Sequence, residues 1–387
     1  MNEHSKPDWD PKSEDVLRDQ RAAYDKMSER CPVAYSDFMH WSLFRHEDVS
    51  AVLNDHESFS NAVSQHLSVP NGMDPPEHTM YRRIIEPYFA RERMIAFEPV
   101  CRKIAADLVQ NAFMADEVEL MTAFALPFAG RIQCAFLGWP PELQERLIRW
   151  IGKNHEATIA RDRPAMSELA REFESIIDDV IETRCQSGAK PEDDVTASLM
   201  HEKVWGRPLS NEEIASILRN WTVGEIGTIS ASVGILCHYL AQHADLQNQL
   251  RAQPTLLPAA IDEILRIHGP LVANRRTATR PVTIGGRKIE AGEQVSLIWV
   301  SANRDGRIFE DPDSFRLDRD PARNLLYGAG IHVCPGAPLA RMELEIIMEE
   351  LLKGTAAITP APDKSPVNAI YPASGYSTVS LRVQRAR

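Results

Sequence analysis

The sequence predicts a mainly α protein with a small β region. Apolar residues recur at helical spacing through most of residues 76–275, between turns marked by proline. Residues 280–300 change to short β-like runs around a Gly285-Gly286 turn. A final apolar pattern of helical period begins after Cys334.

Length and composition describe a globular chain. It has 387 residues, of which 43% are hydrophobic and 25% charged, enough for one large domain or two ordinary ones. The formal charge of −12 argues against nucleic acid or an anionic membrane as the main partner.

Several features predict a cytoplasmic protein. The six cysteines are scattered and form no C-x-x-C pair, which favours a reducing compartment. Residues 1–20 are polar, so we expect neither a signal peptide nor a membrane anchor. The most apolar stretch, 229–240, contains Ser230, Ser232 and His238 and is typical of a buried helix.

The clearest predicted helix begins at Ser210. Ser210 and Glu213 have the spacing of a capping box, in which each side chain accepts a backbone N–H of the other residue. One face then follows at steps of three and four residues: Ile214, Leu218, Trp221, Glu225, Thr228, Ser232 and Ile235. Polar residues in the middle of this stripe indicate a function there.

Segment 327–336, YGAGIHVCPG, places Cys334 just before the predicted helix 337–352. Backbone N–H groups at a helix N-terminus favour a thiolate, and the three glycines allow the backbone to approach a flat ligand. A lone cysteine is more often a buried structural residue, which is the alternative here. A zinc site using His332 and Cys334 is disfavoured, since no second ligand pair lies at metal spacing.

The segment resembles the haem-binding loop of cytochromes P450, F-G-x-G-x-H-x-C-x-G, at five of its six fixed positions; the exception is Tyr327. The resemblance implies the cytochrome P450 fold, mainly α with a small β region, as a single haem domain over residues 1–387. It also implies a b-type haem, with Cys334 as the iron ligand. No C-x-x-C-H motif for covalent attachment occurs.

Two further groups of residues match the family in order along the chain. Glu263 and Arg266 resemble the family's E-x-x-R pair, and Arg319, in a segment similar to the family's meander, would complete a structural network that supports the cysteine loop. Four basic residues match positions that bind the haem propionates: His78, Arg82, Arg276 and His332. Taken singly, each is more simply a solvated charge.

The central helix departs from the family pattern. Gly224 matches the position that leaves room for oxygen, and Thr228 matches the threonine that helps to supply protons. Gly227 stands where the family has an acid, so we expect Glu225 to replace it from the same helix face. The alternative is that Glu225 pairs with a neighbouring arginine or points to solvent.

The resemblance implies insertion of one oxygen atom from O₂ into an organic substrate. We expect no fused redox module, and therefore a separate ferredoxin or flavodoxin with its reductase. Candidate partner-facing cations are Arg102, Lys103, Arg323 and Arg341. Two alternatives remain, a peroxygenase that uses H₂O₂ and a haem-based gas sensor without enzymatic activity.

The substrate is predicted to be small and mainly apolar with one or two polar groups, for example an aromatic or terpenoid molecule. Hydroxylation and oxidative dealkylation share the first hydrogen abstraction, so both are expected reactions. The candidate pocket residues, chosen by position, are His66, Asn220, Val223, Gly224, Val272, Asn274 and Tyr371.

Overall fold

A computed structural model describes residues 7–64 and 66–386. It confirms the mainly α class with a small β region. The α-helices in this part of the chain are α1 Glu14–Arg18, α2 Gln20–Arg30, α3 His46–Asn54, α4 Glu77–Ile85, α5 Arg91–Ala112, α6 Leu126–Leu137, α7 Leu143–Ala160, α8 Arg163–Ser187, α9 Val195–His201, α10 Asn211–Thr222, α11 Ser230–Gln242, α12 Ala244–Ala252, α13 Leu257–His268, α14 Trp299–Ala302 and α15 Ala337–Gly354.

The strands form one larger sheet and several small ones. They are β1 Val33–Ser36, β2 His40–Leu43, β3 Phe59–Ser60, β4 Glu117–Glu119, β5 Lys203–Val204, β6 Arg207–Pro208, β7 Ala273–Ala278, β8 Val282–Ile284, β9 Arg287–Ile289, β10 Gln294–Ile298, β11 Thr355–Pro360, β12 Val367–Asn368, β13 Tyr376–Thr378 and β14 Ser380–Arg385. The five-stranded sheet has the order β1-β2-β10-β7-β3, and a three-stranded sheet has the order β11-β14-β4. The pairs β5-β6, β8-β9 and β12-β13 stand alone.

The predicted β-like runs lie where expected, with one difference. Gly285 and Gly286, with φ of 54° and 77°, make the turn between β8 and β9. The run predicted over 295–300 ends as a strand at Ile298, because Trp299 begins α14. Strand β7 pairs antiparallel with β10, and Val295 lies opposite Arg276.

The central helix runs through α10 and α11 and begins with the predicted capping box between Ser210 and Glu213. A π-helical segment, Val223–Ile229, interrupts it. By length and composition alone, the helix over residues 211–242 is long and apolar enough to cross a membrane. However, 72% of its most apolar 18-residue stretch is buried inside the fold. Such burial is typical of the core helix of a soluble protein, as the sequence predicted for residues 229–240.

Helix α15 packs its apolar stripe into the same core as α11. Leu339, Leu344, Ile347 and Leu351 are all nearly inaccessible to solvent, as their spacing predicted. Helix α5 lies along α15 and contributes Cys101 to this core. The segment after Cys334 is therefore held mainly by α5, and it also touches the central helix.

Candidate active site

Cys334 lies in a tight loop at the N-terminus of α15. Its backbone N–H donates to the carbonyl of Tyr327 at 2.9 Å, which closes the loop on itself. Gly328 and Gly330 have φ of 75° and 68°, a region that favours glycine. A Cβ on Gly330 would also collide with the carbonyl oxygen of Leu53 at the end of α3. The backbone therefore requires these glycines.

Cys334 is exposed to solvent on one side and surrounded by protein elsewhere. Burial raises the pKa of the thiol, and the backbone N–H groups of Gly336 and Ala337 and the charge of Arg82 oppose that rise. These donors remain available to a bound thiolate. The loop thus offers one sulfur ligand with stabilising groups already in position.

Four basic residues converge beside this loop. The rings of His78 and His332 are 4.1 Å apart between centroids, and Arg82 and Arg276 are close enough to influence His332. Arg82 also donates to the carbonyl of Val333 at 2.8 Å and pairs with Glu86 at 3.0 Å. The four residues predicted to bind the propionates therefore come together from three elements: α4, β7 and the cysteine loop.

Two acids act on this cluster: Glu86 pairs with Arg82, and Asp74 opposes the lowering of the pKa of both His78 and Arg276. Burial, followed by the nearby cations, lowers the pKa of His332 to about 3; burial and Arg82 lower the pKa of His78 to about 4. Burial lowers the pKa of Arg276 to about 10, and only Asp74 opposes that shift. Like-charge groups buried together are costly unless an anion joins them.

The residues fit a haem. The Nε2 atoms of His78 and His332 are buried and have no hydrogen-bond partner in the described part of the chain. Such atoms normally have a partner in the functional protein, and two propionates would supply acceptors. Together with Cys334 they would hold the iron and the propionate edge, as the sequence predicted.

The Glu263–Arg266–Arg319 network is formed. Arg266 donates two hydrogen bonds to Glu263, at 2.8 and 2.9 Å, and Arg319 donates a third at 2.9 Å. Arg266 is 1% exposed and also donates to the carbonyls of Asn303 and Pro312 at 2.7 and 2.8 Å. Asn303 in turn accepts the backbone N–H of Leu325, at the start of the approach to the cysteine loop. These contacts link α13 to the segment before the cysteine loop, which favours the predicted structural role of the network.

One face of the central helix is open. A Cβ on Gly224 or Gly227 would meet nothing within 4 Å, and Val223 is 37% exposed. Thr228 lies on this stretch, and its hydroxyl donates to the carbonyl of Gly224 at 2.7 Å. The residue predicted to leave room for oxygen therefore borders free space.

Glu225 is oriented differently from the sequence expectation. The expectation of one shared face assumed α-helical spacing, but residues 223–229 are π-helical, and Glu225 turns into the core while Thr228 stays partly accessible. The Glu225 carboxyl is 8% exposed and lies beside the carboxyl of Glu343 on α15. No arginine pairs with either acid within the described residues.

Sequence reasoning missed Glu343. A signal was present: Leu339, Glu343, Ile347 and Leu351 follow at steps of four, so Glu343 occupies a position on the apolar stripe of α15. Glu343 has no exposed surface.

The candidate pocket residues do not form one group. Asn220 ties the central helix to the loop before α4, donating to the Ser68 hydroxyl at 3.2 Å and to the Val69 carbonyl at 3.0 Å. His66 and Asn274 are exposed. Val272 is 1% exposed and lies in a packed cluster with Tyr371. The Tyr371 hydroxyl instead accepts a hydrogen bond from Arg275 at 2.8 Å.

The candidate partner-facing cations differ in whether acidic residues of the chain already pair with their charge. Arg102 is paired with Glu98, Glu349 and Glu350, at 2.6 to 3.1 Å. Arg341 pairs with Asp262 at 3.1 Å and lies over the Tyr327 ring at 4.3 Å. Lys103 is exposed, and the Arg323 side chain forms a long 3.7 Å ion pair with Asp320 and donates to the Ile308 carbonyl at 3.4 Å.

Comparison with known proteins agrees with this geometry. The family model described as cytochrome P450 matches residues 141–355. The erythromycin C-12 hydroxylase of Saccharopolyspora erythraea is 30% identical, over 86% of each chain. The linalool 8-monooxygenase of Pseudomonas putida is 29% identical over 80% of this chain and 82% of its own. The crystal structure of CYP109E1 from Bacillus megaterium with testosterone superposes with a TM-score of 0.86, 26% identity and coverage of 96% of this chain and 99% of that one.

Proposed function

This chain belongs to the cytochrome P450 family, and we propose that it hydroxylates or oxidatively dealkylates a small, mainly apolar molecule with electrons from a separate ferredoxin or flavodoxin. Membership makes it a haem-thiolate monooxygenase that uses O₂, a b-type haem and a redox partner. When bound, the haem supplies the activation of O₂. The observation that carries the assignment is the closed Cys334 loop beside four buried or half-buried basic residues, two of them histidines whose Nε2 atoms lack a hydrogen-bond partner in the described chain.

We assign the chain's own residues three tasks at this site. Cys334 would bind the iron as thiolate, with the N–H groups of Gly336 and Ala337 holding its charge. His78, Arg82, Arg276 and His332 would bind the propionates through charge-assisted hydrogen bonds. Glu263, Arg266 and Arg319 would keep the approach to the loop rigid.

Thr228 would pass protons to the reacting oxygen, and Gly224 would leave room for it. Support comes from the open face of the helix and from the Thr228 hydroxyl, whose only hydrogen bond in the described chain is to the Gly224 carbonyl. That bond uses the hydroxyl proton and leaves the oxygen's lone pairs available to accept. Glu225 is the acid we assign to proton supply, in place of Gly227.

The substrate class rests on the chemistry of the open face. Val223 offers an apolar surface beside two glycines, and Asn220 and Asn274 could supply a polar contact at the edge. The relatives named above include a linalool monooxygenase and an erythromycin hydroxylase. A hydrophobic molecule with few polar groups suits these residues, and His66 would contribute where the exposed loop meets the substrate.

We further propose that residues 1–387 form one haem domain in the cytoplasm, where the scattered cysteines stay reduced. Lys103 and Arg323 are the candidate partner contacts with the most available charge, while Arg102 and Arg341 would have to exchange their present acidic partners.

Turnover with two electron sources tests the function. A compound library is first screened for the haem spin-state change that follows substrate binding. Hits are then incubated either with NADH and a surrogate ferredoxin and reductase, or with H₂O₂ alone. Product from NADH and O₂ supports the monooxygenase with a separate partner; product from H₂O₂ alone supports the peroxygenase, and spectral binding of gases without any product supports the sensor.

A further inference from the structure

Positively charged side chains from three parts of the chain come together around one aromatic ring. Arg161 lies in the turn between α7 and α8, Lys12 precedes α1, and Arg275 lies on β7. The Arg161 guanidinium lies over the Phe38 ring at 4.3 Å, and the Lys12 ammonium lies over the same ring at 4.0 Å. Burial lowers the pKa of Arg161 and the charge of Arg275 lowers it further, so the two charges act on each other. Because the chain has a net charge of −12, this is a local concentration of positive charge on an acidic protein.

Most N–H donors of the two arginines are unused among the described residues. One Arg161 nitrogen donates to the backbone carbonyl of Asp37 at 3.3 Å, and one Arg275 nitrogen donates to the Tyr371 hydroxyl at 2.8 Å. A guanidinium has five N–H donors, and no carboxylate of the described chain pairs with either group. Both arginines can therefore donate further hydrogen bonds to an anion.

His40, at the start of β2, faces the same charges. Burial lowers the pKa of its imidazole, Arg161 and Arg275 lower it further, and Glu293 and Asp37 oppose the shift less strongly. The ring is therefore mainly neutral at neutral pH. It adds a hydrogen-bonding group to the cluster without adding a full charge.

The cluster borders the elements that surround the open face of the central helix. Successive side chains of a strand point to opposite faces, so Arg275 points away from the cluster of basic residues that contains its neighbour Arg276. The loop between β12 and β13 carries both Tyr371 and Gly375, and a Cβ on Gly375 would lie 2.8 Å from a side-chain atom of α11. That loop therefore packs on the central helix soon after Thr228. Helix α7, which ends just before the cationic turn, contacts the π-helical segment itself.

A carboxylate joined to an apolar group fits these side chains. Two planar guanidinium groups and a phenol hydroxyl offer donors to both oxygens of a carboxylate, and charge-assisted hydrogen bonds of this kind are about twice as strong as neutral ones. The rings of Phe38 and Tyr371 pack edge to face with centroids 5.6 Å apart, and they provide apolar surface directly beside the charges.

Resting on the proposed function, we propose that Arg161, Arg275 and the Tyr371 hydroxyl bind a carboxylate carried by the substrate, which makes the substrate class an amphipathic carboxylic acid. The apolar part of the substrate extends along the open face beside Val223. Oxidation then falls on a carbon remote from the carboxylate, because the charged end is held at the cluster. Arg161 and Arg275 both select the substrate and fix its orientation.

Binding of matched acids and amides tests the site without turnover. Straight-chain carboxylic acids and 4-alkylbenzoic acids of increasing length are titrated into the haem-loaded protein at low salt. Each acid is compared with its primary amide, which keeps the shape and lacks the charge. The haem spin-state change reports ligands that reach the iron, and calorimetry reports any binding. We expect the acid of the best-fitting pair to bind at least about tenfold more tightly than its amide.

Substitutions locate the preference. Arg161→Gln and Arg275→Gln should each lower the affinity for the acid about tenfold and leave the affinity for the amide unchanged. Tyr371→Phe keeps the ring and removes one hydroxyl, so it should lower the affinity for the acid about threefold. Arg163→Gln removes the same charge from an exposed position two residues after Arg161 and should leave both affinities unchanged.

The outcomes separate the inference from the function. Equal affinity for acid and amide in every pair overturns the carboxylate site, even when neutral compounds give product with NADH. A preference that survives both arginine substitutions, or that Arg163→Gln lowers as much as Arg161→Gln does, overturns it as well. A preference that depends on the two arginines supports the site, and the absence of all NADH-driven product then overturns only the proposed function. If Arg275→Gln fails to fold, Arg161→Gln and Tyr371→Phe still decide.

Discussion

The imidazole rings of His78 on α4 and His332 in the cysteine loop face each other with their centroids 4.1 Å apart and interplanar angle of 53°. Each carries a buried Nε2 atom without a hydrogen-bond partner in the described residues. Two buried ring nitrogens without a partner lie close together although His78 and His332 are far apart in sequence. This indicates that an acceptor outside the protein binds both rings.

His78→Leu should therefore weaken haem binding. The change removes one charge-assisted hydrogen bond of about 1.5–3 kcal/mol, so haem should dissociate roughly 10- to 100-fold faster. Transfer of haem to excess apomyoglobin, followed by absorbance, measures the rate. His201→Leu, at an exposed histidine whose ring contacts the Ala197 carbonyl one turn earlier, is the control; equal rates in both variants would contradict the propionate assignment.

Cys334→His should abolish the red-shifted absorption band of the reduced carbonyl complex. A neutral imidazole donates less electron density than a thiolate, while the four basic residues still hold the haem. Difference spectra of the reduced protein with and without carbon monoxide give the answer. Survival of the band would show that another residue binds the iron.

Arg266→Ala should lose haem or fold poorly, because it leaves the buried Glu263 carboxylate short of two hydrogen bonds. Breaking a buried pair from one side costs about 3–5 kcal/mol. Urea unfolding followed by circular dichroism and by haem absorbance measures the loss. Arg316→Ala, which breaks solvent-exposed pairs with Glu310 and Asp318, should stay close to wild type. Similar stabilities would contradict a structural network.

Thr228→Ala should retain substrate binding and divert electrons to hydrogen peroxide, because protons no longer arrive in order at the reacting oxygen. The ratio of peroxide released to product formed measures this. Ser232→Ala removes a hydroxyl that binds the Thr228 carbonyl one turn later and should leave the ratio unchanged. A well-coupled Thr228→Ala enzyme would rule out the role given to this hydroxyl.

Glu213→Gln should make the protein less sensitive to acid. The Arg207 side chain, helped by Tyr81 and the Ser210 backbone, lowers the pKa of Glu213 to about 2. A depressed folded pKa stabilises the protein above the unfolded value of about 4.3 and loses that stabilisation as the pH falls towards 2. The urea concentration at the unfolding midpoint, measured at several pH values, should therefore fall less steeply below about pH 4.3 in the variant than in the wild type. Equal slopes in the two proteins would contradict the lowered pKa of Glu213.

The parts of the fold that the sequence predicted correctly are those encoded locally. Ser210 and Glu213 form the capping box within four residues, and the loop around Cys334 carries its own glycines. The convergence of His78, Arg276 and His332 could be predicted only through family resemblance, because the three come from different elements. Physical pattern alone would have left them as separate surface charges.

Two features of the site could not be predicted from the local sequence pattern. The π-helical segment depends on packing around Val223–Ile229, which no local spacing indicates, and it turned Glu225 away from Thr228. Burial of Glu343 depends on what faces α15; a glutamate in a helix rich in glutamates is normally solvated.

The π-helical segment also affects how this gene tolerates insertions and deletions. A π-helical turn holds one residue more than an α-helical turn, so removing a single codon within 223–229 would let the helix continue as regular α. Because such a deletion removes the extra residue and the wide turn together, α10 and α11 would keep about their present relative orientation, and the change would fall on residues 223–229 themselves. In a sequence alignment, a one-residue gap here is therefore a change of active-site geometry and not a neutral length difference.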